Sequence, residues 1–175
     1  MKVLVISASP RKNSITQHAM KFVFEYVKTK EVEVDFINLS EEQVEYFRGS
    51  DVDYGEVTKN AAQKIMESDV WLIGTPIYNS FFSSALKNLF EFVNYKKTQG
   101  KVAGMVIMAS GNIGFIDVQT LITQLLSYFR VFTNPKAVFL TIDSVSDNKI
   151  SDESAKKRLM ELVDETLKIS FKLNS

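Results

Sequence analysis

Residues 1–16, MKVLVISASPRKNSIT, constrain this chain more than any other stretch. Lys2 to Ile6 is a short β-branched apolar run with no polar alternation, which suits a strand buried on both faces of a parallel sheet. The run stops at Ser7-Ala8-Ser9-Pro10-Arg11-Lys12-Asn13-Ser14, where hydroxyls, a proline and cations replace hydrophobes, the composition of a loop. Beyond it Ile15, Ala19, Phe22, Val23, Tyr26 and Val27 recur at helical spacing. A buried strand therefore feeds, through a polar loop, the N-terminus of a helix, whose free N–H groups and positive dipole end suit an anion.

Ser9, Ser14 and Thr16 offer hydroxyl donors there, and Arg11 offers a guanidinium fork that matches phosphate oxygens better than an ammonium does. Ser14 with Gln17 three residues on is equally a capping box, which needs no ligand. The glycine patterns of P-loop NTPases and of dinucleotide-binding turns are absent, which argues against nucleoside triphosphate chemistry and against a Rossmann fingerprint.

At 175 residues with 45% apolar content, the chain has the length for one domain, residues 1–175, with a substantial core. Its 21 basic and 21 acidic residues cancel, so no whole-protein field recommends nucleic acid or an anionic membrane as partner. Cysteine is absent, which excludes disulfides, thiol nucleophiles and cysteine-ligated metal or iron–sulfur centres and fits a reducing compartment. His18, the only histidine, lies inside the first helix and is given no role as metal ligand or general base. A strand that begins at residue 2 leaves no room for a signal peptide, and no apolar run approaches the ~20 residues that span a bilayer. The expectation is a soluble, cytoplasmic protein without a metal site.

Farther along, residues 31–39 alternate charge and hydrophobe, the pattern of an edge strand. Residues 40–56 carry Glu41, Glu42, Glu45, Asp51, Asp53 and Glu56 against Arg48 alone, interrupted by Tyr46, Phe47 and Tyr54. These aromatics predict that part of the excursion packs, as a lid or on a neighbouring subunit. Val57, Ala61, Ala62, Ile65 and Met66 mark a short helix, and residues 70–74 and 101–109 further buried strands. Val118, Leu121, Ile122, Leu125, Leu126 and Phe129 mark an amphipathic helix, residues 138–142 a fifth strand, and Ser151-Asp152-Glu153 the start of a last helix. Five strands alternating with helices predict an α/β fold, an open five-stranded parallel sheet covered on both faces. Right-handed crossovers and a phosphate loop after strand one favour the order 2-1-3-4-5, with ligand at the carboxyl ends of strands one, three and four.

The loops after those strands have the matching chemistry. Pro76 is expected to end the third strand, and Tyr78 and Asn79 supply an amphipathic wall and an amide for a planar aromatic ligand. Tyr78 as ordinary packing and Ser83 as a plain helix cap account for the same residues. In Ser110-Gly111-Asn112-Ile113-Gly114, glycines let backbone amides approach a flat ring edge, although a simple strand-to-helix turn has the same composition.

SASPRKNS, TPIYNSFFSSALKN and SGNIG, in that order and at these separations, closely resemble the NADPH-dependent FMN reductase family of the flavodoxin-like superfamily over most of the chain. The resemblance implies a flavodoxin-like three-layer sandwich. It implies FMN as cofactor, with its phosphate held by Ser9, Arg11, Asn13, Ser14 and Thr16. Pro76, Ile77, Tyr78 and Asn79 would flank the isoalloxazine, and Ser110, Gly111 and Asn112 would close its pyrimidine edge. Ser80 stands where relatives usually have glycine, and Phe115 where a second consecutive glycine is common.

By the same resemblance the activity is two-electron transfer from NADPH or NADH through FMN to a small-molecule acceptor such as flavin, quinone, azo compound or metal ion. Because the flavin carries the chemistry, no catalytic side chain is expected. A homodimer or homotetramer is expected. The alternative is a flavodoxin-type FMN-binding electron carrier with no pyridine-nucleotide oxidation of its own, but flavodoxins are usually strongly acidic with a threonine-rich phosphate loop, and this chain has neither.

Overall fold

A computed structural model describes residues 1–111 and 113–174. The chain runs β1 (Lys2–Ser7), α1 (Ile15–Val27), β2 (Glu33–Asn38), α2 (Glu56–Glu67), β3 (Val70–Tyr78), β4 (Phe81–Phe82), α3 (Ser84–Glu91), β5 (Val102–Ala109), α4 (Phe115–Tyr128), β6 (Phe132–Thr133), β7 (Val138–Thr141), β8 (Val145–Ser146), β9 (Lys149–Ile150) and α5 (Glu153–Leu173). The sheet order is β2-β1-β3-β5, with β6 and β7 both against the outer side of β5. All these pairings are parallel. Because β6 pairs with Val102 and Ala103 while β7 pairs with residues 106–109, the two are halves of one interrupted fifth strand. The order is thus the 2-1-3-4-5 predicted from sequence.

The strand runs lack polar alternation because both faces are covered. Leu4, Ile6, Trp71, Ile73, Met105 and Ile107 pack under α2, α3 and α4. Their neighbours Val3, Val5, Val70, Leu72, Val106 and Met108 pack under α1 and α5. Most of these side chains are fully inaccessible, and each such burial contributes about 1.5–3 kcal/mol relative to exposure. The Trp71 indole N–H, which would be costly to bury unpaired, donates to the Ile65 carbonyl at 3.0 Å. Gly104 admits α5 closely: a Cβ built there would lie 2.7 Å from Thr166 Oγ1.

One expectation needs correction. Pro76 does not end β3, which continues to Tyr78 with Pro76 opposite Met108 of β5. The Gly74 carbonyl accepts from Ala8 N–H across the β1 side, so the nitrogen of Pro76, two residues on, faces that same side. β1 has already finished there, and the missing N–H breaks no ladder. Part of the acidic excursion packs, as its aromatics predict, and does so against its own chain. Phe47 and Tyr54 stack at 6.3 Å, and Phe92 after α3 meets both edge-on. Tyr46 is 84% exposed. Among the described residues no helix is long and apolar enough to cross a membrane.

Candidate functional site

The loops after β1, β3 and β5 open at the same edge of the sheet, because the strands they leave are in parallel register. Ser7 pairs with Gly74, and Pro76 with Met108, so Ser9 follows the first of these levels by two residues, and Tyr78 and Ser110 follow the second by two. One hydrogen bond and one close approach join the loops. Ser9 Oγ lies 3.2 Å from Tyr78 Oη, and a Cβ built on Gly114 would sit 3.7 Å from Ile77 Cδ1.

The first loop is shaped by its own polar groups. Ser9, fully buried, accepts from the Arg11 N–H at 3.2 Å. Ser14 caps α1 by accepting from the Gln17 N–H at 3.1 Å. That is half of the capping box read from the sequence; the Gln17 side chain reaches one residue farther back, to the N–H of Asn13 at 2.9 Å. Asn13 has φ 53°, a left-handed conformation that asparagine tolerates better than most residues. Thr16 is buried in the first turn of α1, while Arg11 and Lys12 are exposed.

This donor set fits a phosphate. The N-terminal position of Ile15 and Thr16 leaves their amides without partners inside the helix. Ser14 Oγ is used as an acceptor, which leaves its proton for an anion. Among the described residues Arg11 takes part in no ion pair, so its fork is not committed to a carboxylate. The Glu41 carboxylate is tied to this region through Gln17, accepting from its Nε2 at 2.9 Å.

The second loop is a two-residue hairpin. Ile77 and Tyr78 pair with Phe82 and Phe81, and Asn79 and Ser80 take φ 49° and 64°, the primed turn that suits the twist of such ribbons. Glycine reaches these angles freely, which accounts for its frequency at the position of Ser80 in the related pattern. The hairpin leaves Tyr78 half-buried against Ser9 and Asn79 exposed at the tip. Ser83, as its simpler role requires, caps α3 by accepting from the Ala85 N–H at 3.2 Å.

In the third loop Ser110 and Gly111 are both exposed, and Gly111 has open space where a Cβ would stand. Gly114 has φ 86°, at the turn into α4. Asn112 lies outside the described residues. Phe115 turns away from the loop to stack on Phe139, with centroids 4.9 Å apart. The structure therefore brings Ser9, Arg11, Asn13, Ser14 and Thr16 into one loop and helix start, with Ile77 and Tyr78 joining it to the third loop. Sequence reasoning missed Gln17 as a brace, although its capping-box spacing pointed at it, and missed Glu41, for which no local signal exists.

Residues 1–144 match the family model described as NADPH-dependent FMN reductase. Among curated proteins, an NAD(P)H-dependent FAD/FMN reductase of Geobacillus thermodenitrificans is 27% identical over 147 residues, 83% of this chain and 80% of that one. An FMN-dependent NADPH-azoreductase of Staphylococcus aureus is 29% identical over 136 residues, 75% of this chain and 68% of that one. Among solved structures, the flavoenzyme FerB of Paracoccus denitrificans, an NAD(P)H:(acceptor) oxidoreductase, superposes with a TM-score of 0.78 over 98% of this chain and 97% of that one. At 23% identity it shows a shared fold.

Proposed function

Because the chain belongs to the NADPH-dependent FMN reductase family, with FMN as cofactor and a reduced nicotinamide nucleotide as electron donor, we propose that the three joined loops are its FMN site. The observation that carries this is the contact of Ser9 with Tyr78, which ties the anion-binding loop to the aromatic hairpin. In this assignment Ser9, Arg11, Asn13, Ser14 and Thr16 surround the phosphate. Pro76, Ile77, Tyr78 and Asn79 line the isoalloxazine, and Ser110, Gly111 and Asn112 meet its outer edge.

Bound FMN supplies two-electron hydride chemistry, taken from the nicotinamide and passed to an acceptor. The residues bind and orient. Arg11 and the amides at the start of α1 neutralise the phosphate, and Tyr78 gives the ring an amphipathic wall. No side-chain acid or base is required of the site.

Anaerobic mixing of the FMN-loaded protein with NADPH tests the activity: rapid bleaching of the flavin absorbance is expected. A protein that binds FMN but does not bleach is a flavodoxin-type carrier instead. We propose in addition that the whole of 1–175 is one domain, acting in the cytoplasm as a homodimer or homotetramer on a small-molecule acceptor. The absence of cysteine supports a reducing compartment, and the exposure of Tyr46, Ile113 and Ile116 supports self-association. Light scattering on a sizing column reads the oligomer directly; a monomer removes that part of the proposal.

A further inference from the structure

We propose that Gln17 is the positioning residue of the phosphate loop and that Glu41 holds Gln17 in place, an inference that rests on the FMN site proposed above. Gln17 is 3% exposed, and its side-chain oxygen, side-chain nitrogen and backbone N–H are all engaged. Its Oε1 accepts from the Asn13 N–H at 2.9 Å, its Nε2 donates to Glu41 Oε1 at 2.9 Å, and its backbone N–H donates to Ser14 Oγ at 3.1 Å. Asn13 sits at φ 53°, unfavourable for an L residue, and the Gln17 carbonyl pins it there by taking its N–H. Ser14 is oriented from the same side chain's own backbone. Two of the residues assigned to the phosphate therefore take their geometry from one buried glutamine.

Glu41 is placed by the sheet. β1 and β2 pair Ser7 with Asn38, and the Asn38 carbonyl then accepts from the N–H groups of Glu41 and Glu42 at 3.0 and 2.9 Å. Strand register thus fixes Glu41, which fixes Gln17, which fixes Asn13. The chemistry explains why the middle position is a neutral amide. Glutamate at 17 would face Glu41 and add charge beside a phosphate dianion, and lysine would have no acceptor for the Asn13 N–H.

The test is titration of the flavin-free full-length protein with FMN and with riboflavin, read by quenching of flavin fluorescence. Riboflavin lacks the phosphate, so a loop-positioning residue changes the ratio of the two dissociation constants, whereas a merely structural one moves both together. Gln17→Ala is expected to weaken FMN about tenfold while riboflavin stays within about twofold. Gln17→Glu is expected to weaken FMN at least as much. Gln17→Glu with Glu41→Gln restores the pair with donor and acceptor exchanged, and should recover FMN affinity to within about threefold of the wild type. An unchanged ratio in Gln17→Ala, or a double variant no better than Gln17→Glu, overturns the inference. Should Gln17→Ala fail to fold, the exchanged pair decides alone. A wild-type protein that binds riboflavin as tightly as FMN overturns the phosphate site itself, and this inference with it.

Discussion

Ser9 Oγ and Tyr78 Oη stand 3.2 Å apart across 69 residues of chain, so the polar loop after β1 and the hairpin that ends β3 are a single unit. The two partners are not equivalent. Ser9 is fully buried and also receives the Arg11 N–H, whereas Tyr78 is half-buried and has water within reach. Tyr78→Phe should therefore cost about 0.5–1.5 kcal/mol of unfolding free energy, and Ser9→Ala about 1–3 kcal/mol, because it strands a donor. Urea melts of the flavin-free variants give both values; equal costs would mean that the Arg11 N–H finds another acceptor.

Arg11→Ala should weaken FMN binding by about 1.5–3 kcal/mol, the usual worth of a hydrogen bond to a charged group. Arg11→Lys should recover only part of this, since the charge stays but the planar fork is lost. Fluorescence titration measures both, and unchanged affinity in the alanine variant would remove Arg11 from the site.

Ser80 occupies the left-handed region at φ 64°, where a Cβ is unfavourable. Ser80→Gly should relieve that strain, offset in part by the greater freedom of glycine in the unfolded chain, for a net gain of about 0.5–1 kcal/mol. In a chain of this size that raises Tm by about 1–4 °C in calorimetry. A lower Tm would show that the serine side chain contributes something the turn needs.

At Gly104 the opposite sign is expected. An added Cβ would lie 2.7 Å from Thr166 Oγ1, 3.1 Å from Leu72 Cδ2 and 3.3 Å from Leu162 Cδ1, so the buried side chains around it must shift. Gly104→Ala should cost about 1–3 kcal/mol of overpacking, read as a lower urea midpoint.

Lys101 donates to the Ser68 carbonyl from a half-buried position, and burial lowers its pKa below the ordinary 10.5, with Asp69 acting in the other direction. The folded state therefore holds this proton less tightly than the unfolded state. The contribution of Lys101 to stability rises as pH climbs through the folded pKa and levels off above 10.5. Lys101→Met removes that titration. The stability of the wild type relative to the variant should increase as pH rises toward 10.5, and a flat difference would contradict the burial of the ammonium.

The long elements were legible because their signals are local. Leu4 and Ile6 alternate with Val3 and Val5 between two covered faces, and Val118, Ile122 and Leu126 repeat at the pitch of α4. Handedness of the crossovers then left few strand orders, and the observed one was among them. Pro76 misled for a physical reason: its missing N–H ends a strand only where a neighbouring strand needs it, and β1 stops two residues earlier on that side. Phe47 and Tyr54 were readable as packing residues, but their partner Phe92, after α3, was not.

By itself the sequence determined which segments become strands and helices, and that loops rich in hydroxyls, amides and glycine follow β1, β3 and β5. Those properties depend on spacing within a few residues. Only the tertiary structure decided that Ser9 meets Tyr78, that Gly114 lies against Ile77 and that Glu41 anchors Gln17. Such contacts depend on how far parallel strands slide past one another and where each loop then ends, and no periodicity inside one segment carries the position of its partner.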